Sequence, residues 1–147
     1  MALKKRLRGY MFSRKVDGQL VPQRLQNMLI REYVESRECE FLLSAVEYYM
    51  DDCYMMLDAL LERIDEIDGL VFFSMTFLPS SNARREALLS TILNNKKEIH
   101  FALENLAIKN AEDVERLNDI IATQALARTA QYTIDQVDLG FHNSDGR

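Results

Sequence analysis

Short apolar runs alternate with longer stretches of helical periodicity along the whole sequence. The clearest run covers residues 70–75, where five of the six residues are apolar and only Ser74 is polar. The run does not alternate and is too short for a helix or a membrane span, which is typical of a strand buried on both faces. Gly69 opens it, and Pro79 with three following polar residues closes it. We therefore predict a central strand of a parallel sheet here.

Three more strands and four helices are predicted around this central strand. The other strands are expected over residues 9–13, 40–46 and 98–103, and the last of these alternates, which favours a strand at the sheet edge. Helices are expected over residues 22–37, after a cap at Asp51 or Asp52, after a cap at Ser81 or Asn82, and over about 111–135 after Asn110. The predicted fold class is α/β, with a four-stranded, mainly parallel open sheet, helices on both faces and a long C-terminal helix.

The composition of the chain is that of an ordinary globular protein. With 147 residues, we expect a single α/β domain over residues 1–139 and a flexible tail over 140–147. The net charge of -5 predicts no nucleic acid and no anionic membrane as partner. Two cysteines and the absence of an export or anchor pattern predict a cytoplasmic protein with reduced thiols. The histidines make no metal spacing, so no metal site is expected, and without a GxGxxG or phosphate loop no cofactor is predicted.

Polar side chains follow the predicted strands at their carboxyl ends, where open α/β folds bind ligands. They are Ser13, Arg14, Glu47, Ser74 and Glu104. Arg14 is suited to bind a carboxylate or phosphate, and Glu47 with Glu104 to act as an acid and base pair. Ser13 is a candidate nucleophile, although no triad order accompanies it. The alternatives also stand: a turn serine, a solvated arginine, and carboxylates that only partner arginines.

Residues of the first helix and a tyrosine cluster extend this predicted site. Gln23 and Gln26 lie three residues apart, so they are expected to share a helix face, whereas Arg31 lies five residues further and is open to a partner subunit. The helix N-terminus would direct free amides at an anion. Tyr48, within a cluster completed by Tyr49 and Tyr54, is suited to contact a sugar ring, with sheet packing as the alternative.

In the order of its strands and helices, with a serine ending the first strand, the chain resembles the catalytic domain of serine recombinases, the resolvases and invertases. That resemblance implies a resolvase-like or flavodoxin-like fold. The family has an arginine two residues before its serine, where this chain has Met11, and an Asp-Arg-Leu-x-Arg stretch where this chain reads SMTFLP from Ser74 to Pro79. Without those arginines, attack on a DNA phosphodiester lacks charge stabilisation, so recombinase activity is not expected.

A second resemblance spans about residues 8–121 and is to a small bacterial family called sporadic carbohydrate cluster proteins. The stretches that carry it are residues 8–14 (RGYMFSR), 22–27 with 30–33, 42–48 with 53–57, 74–79 and 98–104. The genes of that family lie among genes for unusual surface sugars. The resemblance therefore implies a role in making or modifying a polysaccharide or sugar nucleotide.

The sequence is consistent with three hypotheses about function. In the first, an enzyme or accessory subunit binds an anionic sugar or sugar nucleotide, with Ser13, Glu47 and Glu104 as catalytic groups and Arg14, Gln23, Gln26, Arg31, Tyr48 and Ser74 as binding groups. In the second, the protein is a non-catalytic homodimeric module that pairs through the apolar surface of its last helix. The third is a degenerate recombinase that binds DNA, for which the composition shows no basic surface.

Overall fold

The computed structural model describes the backbone of residues 3–144 and the side chains of residues 3–138. These residues form a five-stranded sheet, four α-helices and two short 3₁₀ turns, at Ile64–Glu66 and Met75–Phe77. The strands are β1 (Arg6–Met11), β2 (Glu40–Val46), β3 (Gly69–Phe72), β4 (Glu98–Phe101) and β5 (Leu106–Ile108). The helices are α1 (Gln23–Ser36), α2 (Met55–Glu62), α3 (Asn82–Asn94) and α4 (Ala111–Ser144). The α/β class is confirmed.

The sheet is mixed rather than four-stranded and mainly parallel, which corrects the prediction. Its strand order is β2-β1-β3-β4-β5, with parallel pairing from β2 to β4 and antiparallel pairing between β4 and β5. Strand β4 is therefore interior, not an edge strand. With three residues, β5 is too short to show a period of its own, and it returns through a tight turn at Asn105, whose φ is 52°.

The central apolar run is buried as predicted, but only its first part is a strand. All four residues of β3 are buried. The chain then leaves the sheet at Phe73, and the Ser74 hydroxyl accepts a hydrogen bond from the amide of Thr76 to start the 3₁₀ turn. The apolar run led to the prediction that the strand extends to Met75, because a buried turn shows the same run of apolar residues as a buried strand.

Aromatic contacts pack the carboxyl ends of the strands into one layer. The ring of Tyr10 lies 4.8 Å from that of Phe72, and Phe72 lies 5.9 Å from Phe101, between ring centroids. Beyond the strand ends, Phe12 stacks on Phe77 at 5.0 Å. Because each aromatic pair joins two strands or the loops that follow them, the loops at this edge rest on a rigid base.

The last helix, α4, begins at Ala111, as predicted, with Glu112 and Asp113 in its first turn, where carboxylates interact favourably with the positive end of the helix dipole. It runs on to Ser144, which corrects the prediction that it ends near residue 135. The flexible tail predicted over residues 140–147 stays a prediction. Residues 145–147 of that tail lie outside the described residues. The organisation of residues 1–139 as a single domain stays a prediction.

Helix α2 is capped by a residue that is distant in sequence. The predicted caps, Asp51 and Asp52, are wrong, since the helix starts at Met55 after Tyr54, which provides no side-chain cap. Instead, the carboxylate of Glu47 accepts hydrogen bonds from the amides of Met56 and Leu57, each at 3.0 Å. In contrast, the predicted cap of α3 is confirmed, because the hydroxyl of Ser81 accepts from the amide of Arg84.

The Glu47 carboxylate is buried and fully engaged. It is 2% exposed, and it also accepts from the hydroxyl of Tyr10 at 2.7 Å and from the amide of Tyr48 at 3.0 Å. Burial by itself raises the pKa of Glu47, but the hydrogen bonds from Met56, Tyr10, Leu57 and Tyr48 outweigh it, and the pKa lies below its ordinary value. Glu47 is therefore held as an ionised group.

We expect Glu47→Gln to lower the free energy of unfolding at pH 7 by about 2 kcal/mol, because the amide loses the charge that four donors share. A carboxylate with a lowered pKa stabilises the folded state above the pKa of the unfolded chain, about 4.3, and this contribution is lost as the pH falls through the folded value. The difference between wild type and variant should therefore shrink below about pH 4.

Urea unfolding at pH 7 and at pH 3.5 measures both effects. The control is Glu86→Gln, which changes the charge of an exposed residue on α3 in the same way. A Glu47→Gln variant as stable as the control at pH 7 would contradict the assignment of Glu47 as the buried cap.

Candidate functional site

Most predicted site residues lie in the loops that follow β1 to β4. These four strands are parallel and end at Met11, Val46, Phe72 and Phe101, so their following loops meet at one edge of the sheet, which we call the carboxyl edge. The structure brings Ser13, Arg14, Glu47 and Tyr48 together in one group, and Ser74 and Glu104 in another.

Arg14 holds the loop after β2 in place. Its Nη1 donates to three backbone carbonyls, those of Met50 and Cys53 at 2.7 Å and that of Tyr48 at 3.3 Å. The guanidinium also lies 4.3 Å from the centroid of the Phe12 ring and 5.0 Å from that of Tyr54. One end of the guanidinium is thus committed to the protein itself. The role of Arg14 as an anion clamp stays a prediction.

Ser13 and Gln26 fix the loop that follows β1. The hydroxyl of Ser13 donates to the carbonyl of Glu47 at 3.2 Å. The Gln26 side chain is 1% exposed; its Oε1 accepts from the amide of Phe12 at 3.1 Å, and its Nε2 donates to the carbonyls of Phe12 and Val21 at 2.9 and 2.8 Å. Each polar atom of this amide has a protein partner, which favours a structural role for Gln26.

The other two predicted residues of α1 lie away from this group. Gln23 is exposed on the first turn of the helix. Arg31 is also exposed; its Nε lies 3.9 Å from a carboxylate oxygen of Glu35, and its guanidinium lies 5.0 Å from the centroid of Phe41 on β2. Neither residue has a described contact with the strand-end loops, and their roles in binding stay predictions.

Ser74 and Glu104 join the loops after β3 and β4. The buried Ser74 hydroxyl donates to Glu104 Oε1 at 2.8 Å, and the amide of Met75 donates to the same oxygen at 2.6 Å. Among the described residues, Glu104 Oε2 receives one long contact, from the Met75 amide at 3.4 Å. A carboxylate oxygen has two lone pairs. Glu104 therefore keeps more acceptor capacity than the buried Glu47.

An aromatic and apolar surface borders the loop after β2. Tyr48 is 49% exposed and Tyr49 is 75% exposed, and Met50 and Met55 are also exposed. Tyr48 is thus partly accessible from solvent, and its role in contacting a sugar stays a prediction. Exposed tyrosines present both a ring face and a hydrogen-bonding hydroxyl to a ligand.

An open depression lies beside these loops, at the start of α3. Its volume is about 590 Å³, and it is lined by Asp52, Tyr54, Pro79, Ser80, Ser81, Ala83 and Arg84. We call it the Tyr54–Arg84 depression. The Arg84 guanidinium lies 4.7 Å from the centroid of the Tyr54 ring and pairs with Asp58 at 2.9 Å. Burial raises the pKa of Tyr54 in spite of the nearby Arg14, so its hydroxyl stays protonated.

Arg84 is not among the site residues predicted from the sequence. Its position alone does not distinguish it, because an arginine in the first turn of a helix is usually a solvated residue. Tyr54 was recognised only as a member of the tyrosine cluster. The signal that could have found the pair is the Pro79–Ser81 turn, because it sets the start of α3 at the carboxyl edge.

Two kinds of site lack support in the described part of the chain. Among residues 3–138, no group of three His, Cys, Asp or Glu side chains lies close enough to hold a metal ion. No described helix combines the length and hydrophobicity needed to cross a membrane.

Comparison with known proteins identifies the fold. No family model matches the chain, and no curated protein matches it. Among solved structures, the chain is similar to the crystal structure of a resolvase family site-specific recombinase from Streptococcus pneumoniae, with a TM-score of 0.59 and 9% sequence identity over 91% of this chain and 98% of that one. At this identity the likeness concerns the fold alone. The chain has a resolvase-like α/β fold.

Proposed function

We propose that the protein binds an anionic sugar or sugar nucleotide at the carboxyl edge of its sheet and serves in the synthesis of a surface carbohydrate. The observation that carries this proposal is the Tyr54–Arg84 depression, in which the Arg84 guanidinium lies 4.7 Å from the centroid of the buried Tyr54 ring, and which Ser80 and Ser81 also line. Arginine binds acidic sugars and phosphates, and hydroxyl groups hydrogen-bond to sugars.

Arg84 is available for a ligand because its present partner is weak. The side chains of Arg84 and Asp58 are 43% and 59% exposed. An ion pair of two exposed groups contributes about 0–1 kcal/mol. An anionic ligand can therefore replace Asp58 at little energetic cost. The ring of Tyr54 would keep the guanidinium in place while this exchange occurs.

The surface-carbohydrate part of the proposal rests on the sequence resemblance. The stretches that carry it include residues 8–14, 42–48 and 74–79, and these supply Arg14, Glu47 and Ser74, which shape the loops around the depression. Of the residues that line the depression, Tyr54 and Pro79 lie in stretches that carry the resemblance.

If the protein is an enzyme, Glu104 is the better placed of the two predicted proton carriers. Its Oε2 has one long contact, whereas both oxygens of Glu47 accept short hydrogen bonds within the fold. A group that transfers protons needs an oxygen that can reach a substrate. We therefore propose Glu104 as the first residue to replace in any assay of turnover, with Ser13 second.

A homodimer is the second candidate function, favoured by the exposed surface of α4. Leu126, Ile134 and Val137 are exposed apolar side chains, and their spacing of eight and three residues puts them on one face of the helix with the small Ala130. Exposed apolar residues at this spacing are typical of paired helices. We propose a second copy of the chain as the partner.

Arg84→Ala should abolish the binding of an anionic sugar. In a thermal-shift screen against sugar nucleotides, sugar phosphates and acidic sugars, a ligand at 100 times its dissociation constant stabilises the native protein by about 2.7 kcal/mol. We expect this shift in wild type and its loss in Arg84→Ala, because the guanidinium provides the charge that the ligand requires.

The matched control is Arg63→Ala, which also removes one arginine of an exposed ion pair, that with Glu66. Equal shifts in wild type, Arg63→Ala and Arg84→Ala would exclude Arg84 from the binding site. No shift with any ligand would count against the proposed function itself.

Light scattering at micromolar concentration should give twice the mass of the chain. The double replacement Leu126→Glu and Val137→Glu should return the mass to that of a monomer, because it places like charges on the paired face. Gln124→Glu, on the opposite face of the helix, is the control and should leave the dimer intact. A monomeric wild-type protein would remove the second candidate function.

A further inference from the structure

A second depression lies at the opposite edge of the sheet, where the strands begin. Its volume is about 670 Å³, and its charged lining consists of Lys4, Lys5, Arg37, Glu38, Glu98 and Lys109. We call it the basic depression. It is formed by the segment before β1, the end of α1 with the residues that follow, the start of β4 and the residue after β5. None of these residues takes part in the carboxyl-edge site.

The charge balance of this depression is opposite to that of the chain. Four cationic side chains line it against two carboxylates, whereas the whole chain carries a net charge of -5. Glu98 pairs with Lys5 through one oxygen and with His100 through the other, so Lys5 and Glu98 neutralise each other. The charged groups of the lining still sum to a positive charge, and such a local excess attracts anions.

The floor of the basic depression is a chain of hydrogen-bonded side chains. His100 is 2% exposed; its Nε2 lies 2.8 Å from Glu98 Oε2, and its Nδ1 lies 2.7 Å from the hydroxyl of Tyr33. The Tyr33 hydroxyl also lies 3.5 Å from the carbonyl of Leu106. Arg37 lies above this chain, with its guanidinium 4.4 Å from the centroid of the Tyr33 ring.

The protonation state of this chain follows from Glu98. Burial raises the pKa of Glu98, but His100 and Lys5 lower it more, to about 2, so Glu98 is ionised and only accepts. The Nε2 of His100 must then carry the hydrogen. Burial lowers the pKa of His100 in spite of Glu98, so the ring is neutral at pH 7, and its Nδ1 accepts from Tyr33.

We propose that the basic depression binds a small molecule through a phosphate group. Lys4 and Arg37, whose Nη2 also donates to Asn105 Oδ1 at 3.1 Å, would provide the positive charges. Phosphate suits this site because it accepts several charge-assisted hydrogen bonds at once, from arginine and from lysine. A volume of about 670 Å³ is also within the range of small-molecule sites, ~300–1,000 Å³.

Binding of a phosphate can be followed through the pKa of His100. The charged and titratable groups that face this ring are Glu98, Tyr33, Arg37, Lys5, Lys109 and Cys39. An added negative charge favours the imidazolium form and so raises the pKa of His100. Protonation at Nδ1 also has a route, because the Tyr33 hydroxyl can turn to donate to the carbonyl of Leu106 and accept from the ring.

The test is a titration of the full chain with inorganic phosphate and with pyrophosphate at constant ionic strength, followed through the imidazole signals by NMR. The chain has only two histidines, so His142→Asn assigns the signal of His100. We expect a saturable shift of the His100 signal and a higher pKa in its presence. Arg37→Gln and Lys4→Gln should each weaken binding about tenfold, because each removes a charge-assisted contact.

Arg24→Gln is the matched control, because Arg24 is exposed in the first turn of α1, at the opposite end of that helix from Arg37. Lys4→Gln keeps the test valid if the loss of Arg37 disturbs Tyr33. The proposal is overturned if His100 shows no saturable shift, or if Arg37→Gln and Lys4→Gln bind as tightly as Arg24→Gln. It is also overturned if Arg84→Ala, rather than Arg37→Gln, abolishes phosphate binding.

Discussion

The buried carboxylate of Glu47 is the interaction on which the carboxyl edge depends. It joins three parts of the chain that are distant in sequence: the Tyr10 hydroxyl on β1, the end of β2 and the first turn of α2. A buried charge is tolerated only where hydrogen bonds replace the water it has lost, and Glu47 has four O–H and N–H donors together with the Cys53 thiol. The loop between β2 and α2 therefore has little freedom, and Arg14 holds it from the other side through three carbonyls.

This internal bonding changes where a ligand can bind. Arg14, Gln26, Glu47 and Ser74 have the chemistry of a binding site, but each of them uses much of its hydrogen-bonding capacity on the loops around it. They are best understood as the frame of the site. The groups that are more accessible for a hydrogen bond or ion pair with a ligand are Arg84, Tyr48 and one oxygen of Glu104. A rigid frame beneath exposed contact groups is what precise ligand binding requires.

The sheet also separates two chemical environments. At the carboxyl edge, aromatic rings and hydroxyls accompany single arginines. At the other edge, four cations and a buried histidine line the same depression, and a carboxylate and a tyrosine hold the histidine in one tautomer. The contact between Lys5 and Glu98 spans β3, because the strand order places β3 between β1 and β4. Parallel pairing thus assembles this second group from residues far apart in the sequence.

Local patterns in the sequence were enough to predict the α/β class, the bounds of β2, the start of α4 and the cap at Ser81, because these depend on periodicity and on neighbouring residues. They also placed Ser13, Arg14, Ser74 and Glu104 at the carboxyl edge, since parallel strands end together. Neither the composition nor the positions of these residues in the sequence could show that the Arg84 guanidinium would lie over the Tyr54 ring, or that His100 would hydrogen-bond to Tyr33.

Only the tertiary structure decided those pairings. It also decided the short antiparallel β5 and the capping of α2 by Glu47 rather than by Asp51 or Asp52. The physical reason is common to all of them. A buried polar group takes its partners from whatever the fold places within hydrogen-bonding distance, and the sequence separations here reach 67 residues, between Tyr33 and His100. Local sequence determined the elements of this protein, and their packing determined which side chains act together.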